Sequence, residues 1–112
     1  MKRVVKASAD PFFKHLEDEL WAAISKYAKK RFGAKDTDWK DYTVVEVGFY
    51  DGDPTLVEAQ VRSEFAVSYK AANDLSEYLD RVVERYDPDA YFDQLDAGIL
   101  VAYLDKGILN IP

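Results

Sequence analysis

Residues 43–65 read TVVEVGFYDGDPTLVEAQVRSEF, and this stretch decides which kinds of fold the chain can adopt. On both sides of DGDP, every second residue is apolar over several positions, which is the period of a strand with one dry face and one wet face. Aspartate-glycine tolerates a positive φ, and Pro54 cannot pair in a ladder, so DGDP is typical of a turn. The stretch therefore predicts a β-hairpin, whose wet face is expected to carry Glu46, Glu58, Gln60, Arg62 and Glu64.

A long helix is predicted upstream of the hairpin, over residues 11–32. Asp10 is a suitable N-cap, and Pro11 suits the first helical position. Apolar side chains then recur at three- and four-residue spacing, and Gly33 is a suitable left-handed stop. Before this helix, the β-branched run Arg3–Ala7 predicts a short first strand.

Downstream of the hairpin, the pattern predicts a second helix from Tyr69 or Asp74 to Tyr86. Asp87-Pro88 repeats the start signal of the first helix, so a short third helix is expected there. Where this third helix ends depends on Gly98. If Gly98 stops it, Ile99–Leu104 is a buried strand, which is the interpretation we favour; otherwise the helix continues through this run.

The expected order is thus strand, helix, strand, strand, helix, short helix, strand. This order predicts a two-layer α+β domain over residues 1–112, with the split βαβ (ferredoxin-like βαββαβ) arrangement and an extra short helix. If residues 99–104 are helical, the alternative is a three-stranded sheet packed by three helices. Many unrelated functions use these arrangements, so the fold by itself predicts no function.

Composition excludes several kinds of chemistry. The chain has 112 residues, of which 48% are hydrophobic, and it contains no cysteine. Disulfides, a thiolate nucleophile and cysteine-based zinc sites are therefore excluded. The first ten residues lack the apolar core of a signal peptide, and no apolar run reaches the ~18 residues that span a bilayer. We expect a cytoplasmic protein that does not act at a membrane.

The charge is unevenly distributed. Residues 1–41 carry a net +3 and residues 74–96 a net −6, which equals the net charge of the whole chain. The acidic part includes VERYDPDAYFDQLD at 83–96, where a helix would place Asp89, Asp93 and Asp96 on one face. Such a face is usually solvated. The alternatives are a site for a hard cation or a surface that imitates nucleic acid, and we expect no metal because the surrounding pattern offers no shaped loop.

Signals of catalysis are few. His15 is the only histidine, no serine lies in a glycine-flanked elbow, and neither GxGxxG nor GxxxxGK[ST] occurs. We therefore expect no cofactor and no catalytic residue, although a small enzyme that uses paired carboxylates remains an alternative. The wet face of the hairpin lacks the stacked aromatics of an RNA-binding sheet, so direct binding of nucleic acid is not expected.

Protein contacts are the function that the sequence favours. Trp39 in a polar loop and Tyr50 at the end of a strand are typical interface residues, and ILNIP at 108–112 is an apolar terminus. We predict a non-enzymatic protein that forms a homodimer or binds another protein. Its acidic residues would form a steering surface, consisting of Glu84, Asp89, Asp93 and Asp96.

Overall fold

The structure, a computed structural model, describes residues 4–5, 11–32, 39–51, 53 and 55–105; for Val4, Val5, Phe32 and Trp39 it describes the backbone alone. In chain order the elements are strand β1 (Val4–Val5), helix α1 (Pro11–Phe32), strand β2 (Thr43–Tyr50), strand β3 (Leu56–Ser63), helix α2 (Tyr69–Val83), strand β4 (Asp93–Asp96) and strand β5 (Ile99–Asp105). Short 3-10 turns, Trp39–Tyr42 and Glu64–Ala66, precede β2 and follow β3.

The molecule is an α+β domain in which two helices pack on one face of an antiparallel sheet. The four main strands have the order β2-β3-β5-β4, and the two residues of β1 pair with the outer edge of β2. Both helices supply buried side chains to a core that lies between them and the sheet. Among the described residues, no helix is both long enough and apolar enough to cross a membrane.

The predicted hairpin is confirmed as β2 and β3, which pair from Thr43↔Ser63 to Phe49↔Val57. In its turn Asp51 has a φ of 49°, and the carboxylate of Asp53 accepts hydrogen bonds from the backbone N–H and the hydroxyl of Thr55 at 2.9 and 2.7 Å. The turn is thus held by its own side chains, as expected of an aspartate-rich turn.

The long helix is confirmed as α1, and the second helix as α2 with its start at Tyr69. The N-cap of α2 is Ser68, whose hydroxyl accepts from the backbone N–H of Ala71 at 3.1 Å. The favoured strand over 99–104 is confirmed as β5. The expected cap at Asp10, the stop at Gly33 and most of the predicted first strand lie outside the described residues.

The ferredoxin-like order is wrong. A split βαβ unit places another strand between the two strands that flank its helix. Here β1 and β2, which flank α1, are hydrogen-bonded neighbours and antiparallel. The other edge of the hairpin pairs with β5, as in Val57↔Leu104. The alternative with a three-stranded sheet and three helices is also wrong, because β5 and β4 are both strands.

The predicted third helix is wrong as well, since residues 88–92 are irregular and β4 follows. The carboxylate of Asp87 accepts from the backbone N–H of Asp89 and from that of Asp105, both at 3.0 Å. The carboxylate of Asp80 accepts from the backbone N–H of Phe92 at 2.7 Å. The bonds to Asp105 and Phe92 join residues distant in sequence and fix the path of this irregular segment. Gly98, with a φ of +75°, turns the chain from β4 into β5.

The core has its largest fully buried side chains on both layers. Leu16, Leu20 and Leu75 come from the helices, and Val57 and Leu104 come from the sheet. Burying each such side chain contributes about 1.5–3 kcal/mol. The helix-facing residues of β2, β3 and β5 enter this core. The alternate residues of these three strands therefore project from the opposite face of the sheet.

Candidate functional site

The face of the sheet that points away from α1 and α2 is the candidate interaction surface, and we call it the open face. Alternation along β2, β3 and β5 defines its members, because their neighbours in sequence lie in the core. These members are Val44, Glu46, Gly48, Tyr50, Leu56, Glu58, Gln60, Arg62, Ile99, Val101, Tyr103 and Asp105.

A pair of tyrosines lies near one end of the open face. The rings of Tyr50 on β2 and Tyr103 on β5 meet edge to face, with centroids 5.4 Å apart and an interplanar angle of 85°. Tyr50 is half-buried, and Tyr103 is 39% exposed. The two rings cover part of β3, which lies between their strands, so they present a continuous aromatic surface.

The prediction that Glu58 lies on a wet face of the hairpin is wrong. It lies opposite Gly48 on one side and opposite Tyr103 on the other, and it is 0% exposed. The open face is therefore drier near Glu58 than the alternation of charges in β3 indicates.

At the opposite end of the sheet, apolar side chains are more exposed. Val44 is 44% exposed, and Tyr42, just before β2, is 53% exposed. They contribute to an open pocket of about 390 Å³ whose lining consists of Asp41, Tyr42, Val44, Arg62, Ser63, Glu64, Val67, Ala97, Gly98 and Ile99. Arg62 of this lining also forms an ion pair with Glu46 across β2 and β3 at 3.7 Å.

The residues that the sequence proposed for protein contacts belong to different elements. Tyr50 lies on the open face, whereas the side chain of Trp39 is outside the described part of the chain. Among the proposed acidic residues, which are all exposed, Glu84 caps the C-terminus of α2, Asp89 lies in the following turn, and Asp93 and Asp96 lie on the edge strand β4. These acids do not share a helix face.

Sequence reasoning did not find Tyr103. The signal was present, since Ile99, Val101 and Tyr103 are alternate residues of the apolar run in β5 and therefore lie on the same side of the strand. This alternation identifies a second face only when the strand is known to have a covered side and an open side.

Some carboxylates near the acidic stretch have a structural role. Burial raises the pKa of Asp80 above its ordinary value, and the nearby carboxylates of Glu84 and Asp93 add to this effect, whereas the bond from the Phe92 N–H opposes it. Asp87 is buried and holds two backbone N–H groups. Across the described ranges, no three side chains of the metal-binding types are grouped so as to hold an ion.

A second polar cluster links the N-terminal half of α1 to the residues that follow α2. The hydroxyl of Tyr86 donates to Oε1 of Glu19, and a guanidinium nitrogen of Arg85 lies 3.0 Å from Oε2 of the same carboxylate. Nε2 of His15 is 3.5 Å from Oε1. Burial and the bond to Glu19 raise the pKa of Tyr86 well above its usual range, so this hydroxyl keeps its proton.

No known protein family, curated protein or solved structure matches this chain.

Proposed function

We propose that this protein is a non-enzymatic interaction domain and that its open face binds a second copy of the same chain. The observation that carries the proposal is a group of apolar and aromatic side chains on the sheet face opposite the helix layer, namely the Tyr50–Tyr103 pair and the exposed Val44. Sheets that face water on one side ordinarily carry polar residues there, and on this face the apolar side chains lie beside Glu46, Gln60 and Arg62. Tyrosine is enriched at protein interfaces because its ring buries a large apolar area while its hydroxyl keeps a polar contact.

The charges on the exposed middle of the open face suit a second copy. A chain with a net charge of −6 repels its own copies, so a self-association surface needs local balance. Glu46 and Arg62 are adjacent there and carry opposite charges. In a two-fold arrangement each Arg62 can meet the Glu46 of the other copy, since a two-fold interface brings the same patch of each subunit together.

The edge strand β4 favours pairing through the face rather than through the edge. Asp93 and Asp96 are exposed on β4, and charged residues on an edge strand disfavour the addition of another strand. These two acids, with Glu84 and Asp89, form the steering surface that the sequence predicts; they would attract only a basic partner and would oppose the approach of a second acidic copy at low salt.

The size of the open face sets the expected affinity. The open face is formed by three strands, the longest of which have eight residues; with a spacing of ~4.8 Å and a rise of ~3.3 Å per residue it covers at most about 380 Å². Two copies would bury roughly 760 Å² together, which is below the ~1,000 Å² of a stable specific interface. A weak, reversible dimer that forms only at high protein concentration is the expected result.

Sedimentation velocity over a concentration series tests the proposal. The wild-type mass should rise from 12.8 kDa toward twice that value as concentration increases. Tyr103→Lys should remain monomeric throughout, because dimerisation would bury the new charge. Tyr69→Lys is the matched control, since Tyr69 is 79% exposed on the first turn of α2 and the charge change is the same. A wild-type chain that stays monomeric, or two variants that weaken the dimer equally, would contradict the proposal.

The two alternative functions have less support. Imitation of nucleic acid required acids at helical spacing, and Asp89, Asp93 and Asp96 lie in a turn and an edge strand instead. Acid–base catalysis would need a carboxyl group with a shifted pKa that is available to a substrate, and Asp80 is engaged by the backbone of Phe92. A wild-type chain that is monomeric alone would count against the second copy. A different protein would then be the candidate partner of the open face.

A further inference from the structure

A groove between α1 and α2, on the helix layer, has a charge opposite to that of the whole chain. It has a volume of about 380 Å³. Its lining consists of Glu19, Ala22, Ala23 and Lys26 from α1 with Tyr78, Arg81, Val82 and Arg85 from α2 and the turn after it. The two alanines leave the groove open, because their side chains are too short to fill the space between the helices.

Three cations enter this groove against one carboxylate. Lys26 comes from α1, and Arg81 and Arg85 come from the end of α2 and just beyond it, so the lining residues carry a net +2. The chain as a whole carries −6. Because Lys26, Arg81 and Arg85 line one groove, their like charges repel one another. A bound anion would remove this repulsion.

Neighbouring groups hold the two arginines in place. Glu19 holds the guanidinium of Arg85 at 3.0 Å, and the hydroxyl of Tyr86 fixes that carboxylate. The guanidinium of Arg81 lies over the ring of Tyr78, 5.7 Å from its centroid. A guanidinium whose position is already limited loses less freedom when it binds a ligand. The groove thus presents positioned fork-shaped donors beside the point charge of Lys26.

We propose that this groove binds a small anion with two or more phosphate groups. Guanidinium forks match phosphate oxygens in a bidentate manner, and a lysine ammonium adds charge without a fixed geometry. Cations from two elements converge on one open space of the size that small-molecule sites occupy. The site lies on the helix layer, on the opposite side of the sheet from the open face, and does not depend on dimerisation.

Titration of the full chain with pyrophosphate, followed by ¹H–¹⁵N NMR, tests this proposal. Saturable shifts should concentrate on residues around Lys26, Arg81 and Arg85. Lys26→Gln and Arg81→Gln should each weaken binding by roughly tenfold, since each removes one charge-assisted contact. Lys29→Gln is the matched control, because Lys29 is an exposed lysine of the same helix outside the lining of the groove. It should bind as the wild type does.

A parallel titration with ATP distinguishes free phosphate groups from a nucleotide. Equal affinities identify the phosphates as the recognised group, and tighter binding of ATP adds the nucleoside; both results support the proposal. The absence of saturable binding to either probe would overturn it. An equal loss in Lys29→Gln would overturn it too, because diffuse surface charge would then explain the binding. The Tyr103→Lys variant should retain pyrophosphate binding, which separates this site from the open face.

Discussion

Replacing Gly98 with alanine is expected to destabilise the domain by about 2–3 kcal/mol. Gly98 has a φ of +75°, where an L-residue with a Cβ costs roughly 1–2 kcal/mol. The added Cβ would lie 2.9 Å from the backbone carbonyl oxygen of Ser63, which is closer than such atoms approach. Relief of that contact must disturb the 2.8 Å hydrogen bond from the Ser63 N–H to the Gly98 carbonyl, worth about 1 kcal/mol.

Urea denaturation followed by circular dichroism measures this effect, and thermal unfolding should show a decrease in Tm of roughly 10 °C. Ala97→Ser is the control at the neighbouring exposed position, where a change within about 0.5 kcal/mol is expected. Gly98→Asn should be intermediate, because asparagine tolerates a positive φ but keeps the Cβ contact. If Gly98→Ala costs less than about 0.5 kcal/mol, neither the backbone conformation nor the close approach to Ser63 constrains this turn. If the asparagine variant equals the wild type, the contact has no effect.

Two further predictions concern the carboxylates that hold the chain between α2 and β4. Because the pKa of Asp80 is raised in the folded state, its favourable contribution is fully present below its unfolded pKa and is lost as pH rises through its folded pKa. Asp80→Asn keeps an acceptor for the Phe92 N–H without the charge, so at pH 7 its free energy of unfolding should equal that of the wild type or exceed it by less than about 1 kcal/mol. The stability of this variant should also change less than that of the wild type between pH 4 and pH 7. A variant that is less stable than the wild type only at pH 7 would contradict this prediction. Asp87→Ala leaves the N–H groups of Asp89 and Asp105 without their acceptor and should cost about 2–4 kcal/mol in urea unfolding, with Asp87→Asn costing less. Equal stability of Asp87→Ala and wild type would show that these bonds do not hold the segment.

The two proposed sites lie on opposite layers of the molecule. A dimer formed through the open face would leave the groove between α1 and α2 accessible in both copies. Both sites can then be occupied at once, and each can be removed by substitution without loss of the other. The variants Tyr103→Lys and Arg81→Gln therefore separate the two activities.

The sequence by itself determined α1, the β2–β3 hairpin and α2, and it favoured a strand for β5 over a continued helix. Each of these depends on a burial period, a cap or a turn that acts within about twenty residues, and such signals are local. The Asp-Gly turn, for example, favours pairing of the two strands that directly flank it. The position of Tyr50 at the end of β2 was predicted for the same reason, since the pattern already defined that strand.

Only the tertiary structure decided the strand order and the path of residues 88–96. The local signal at Asp87-Pro88 favours a helix, but Asp87 binds the backbone of Asp105, 18 residues away, and Asp80 binds that of Phe92, 12 residues away. Two charged acceptors that capture distant N–H groups outweigh a helix start worth about 1 kcal/mol. The pairing of Tyr103 with Tyr50 and the burial of Glu58 likewise depend on β5 lying beside β3. Which strands become neighbours is set by the total area that the assembled core removes from water, a quantity that no local stretch of the chain contains.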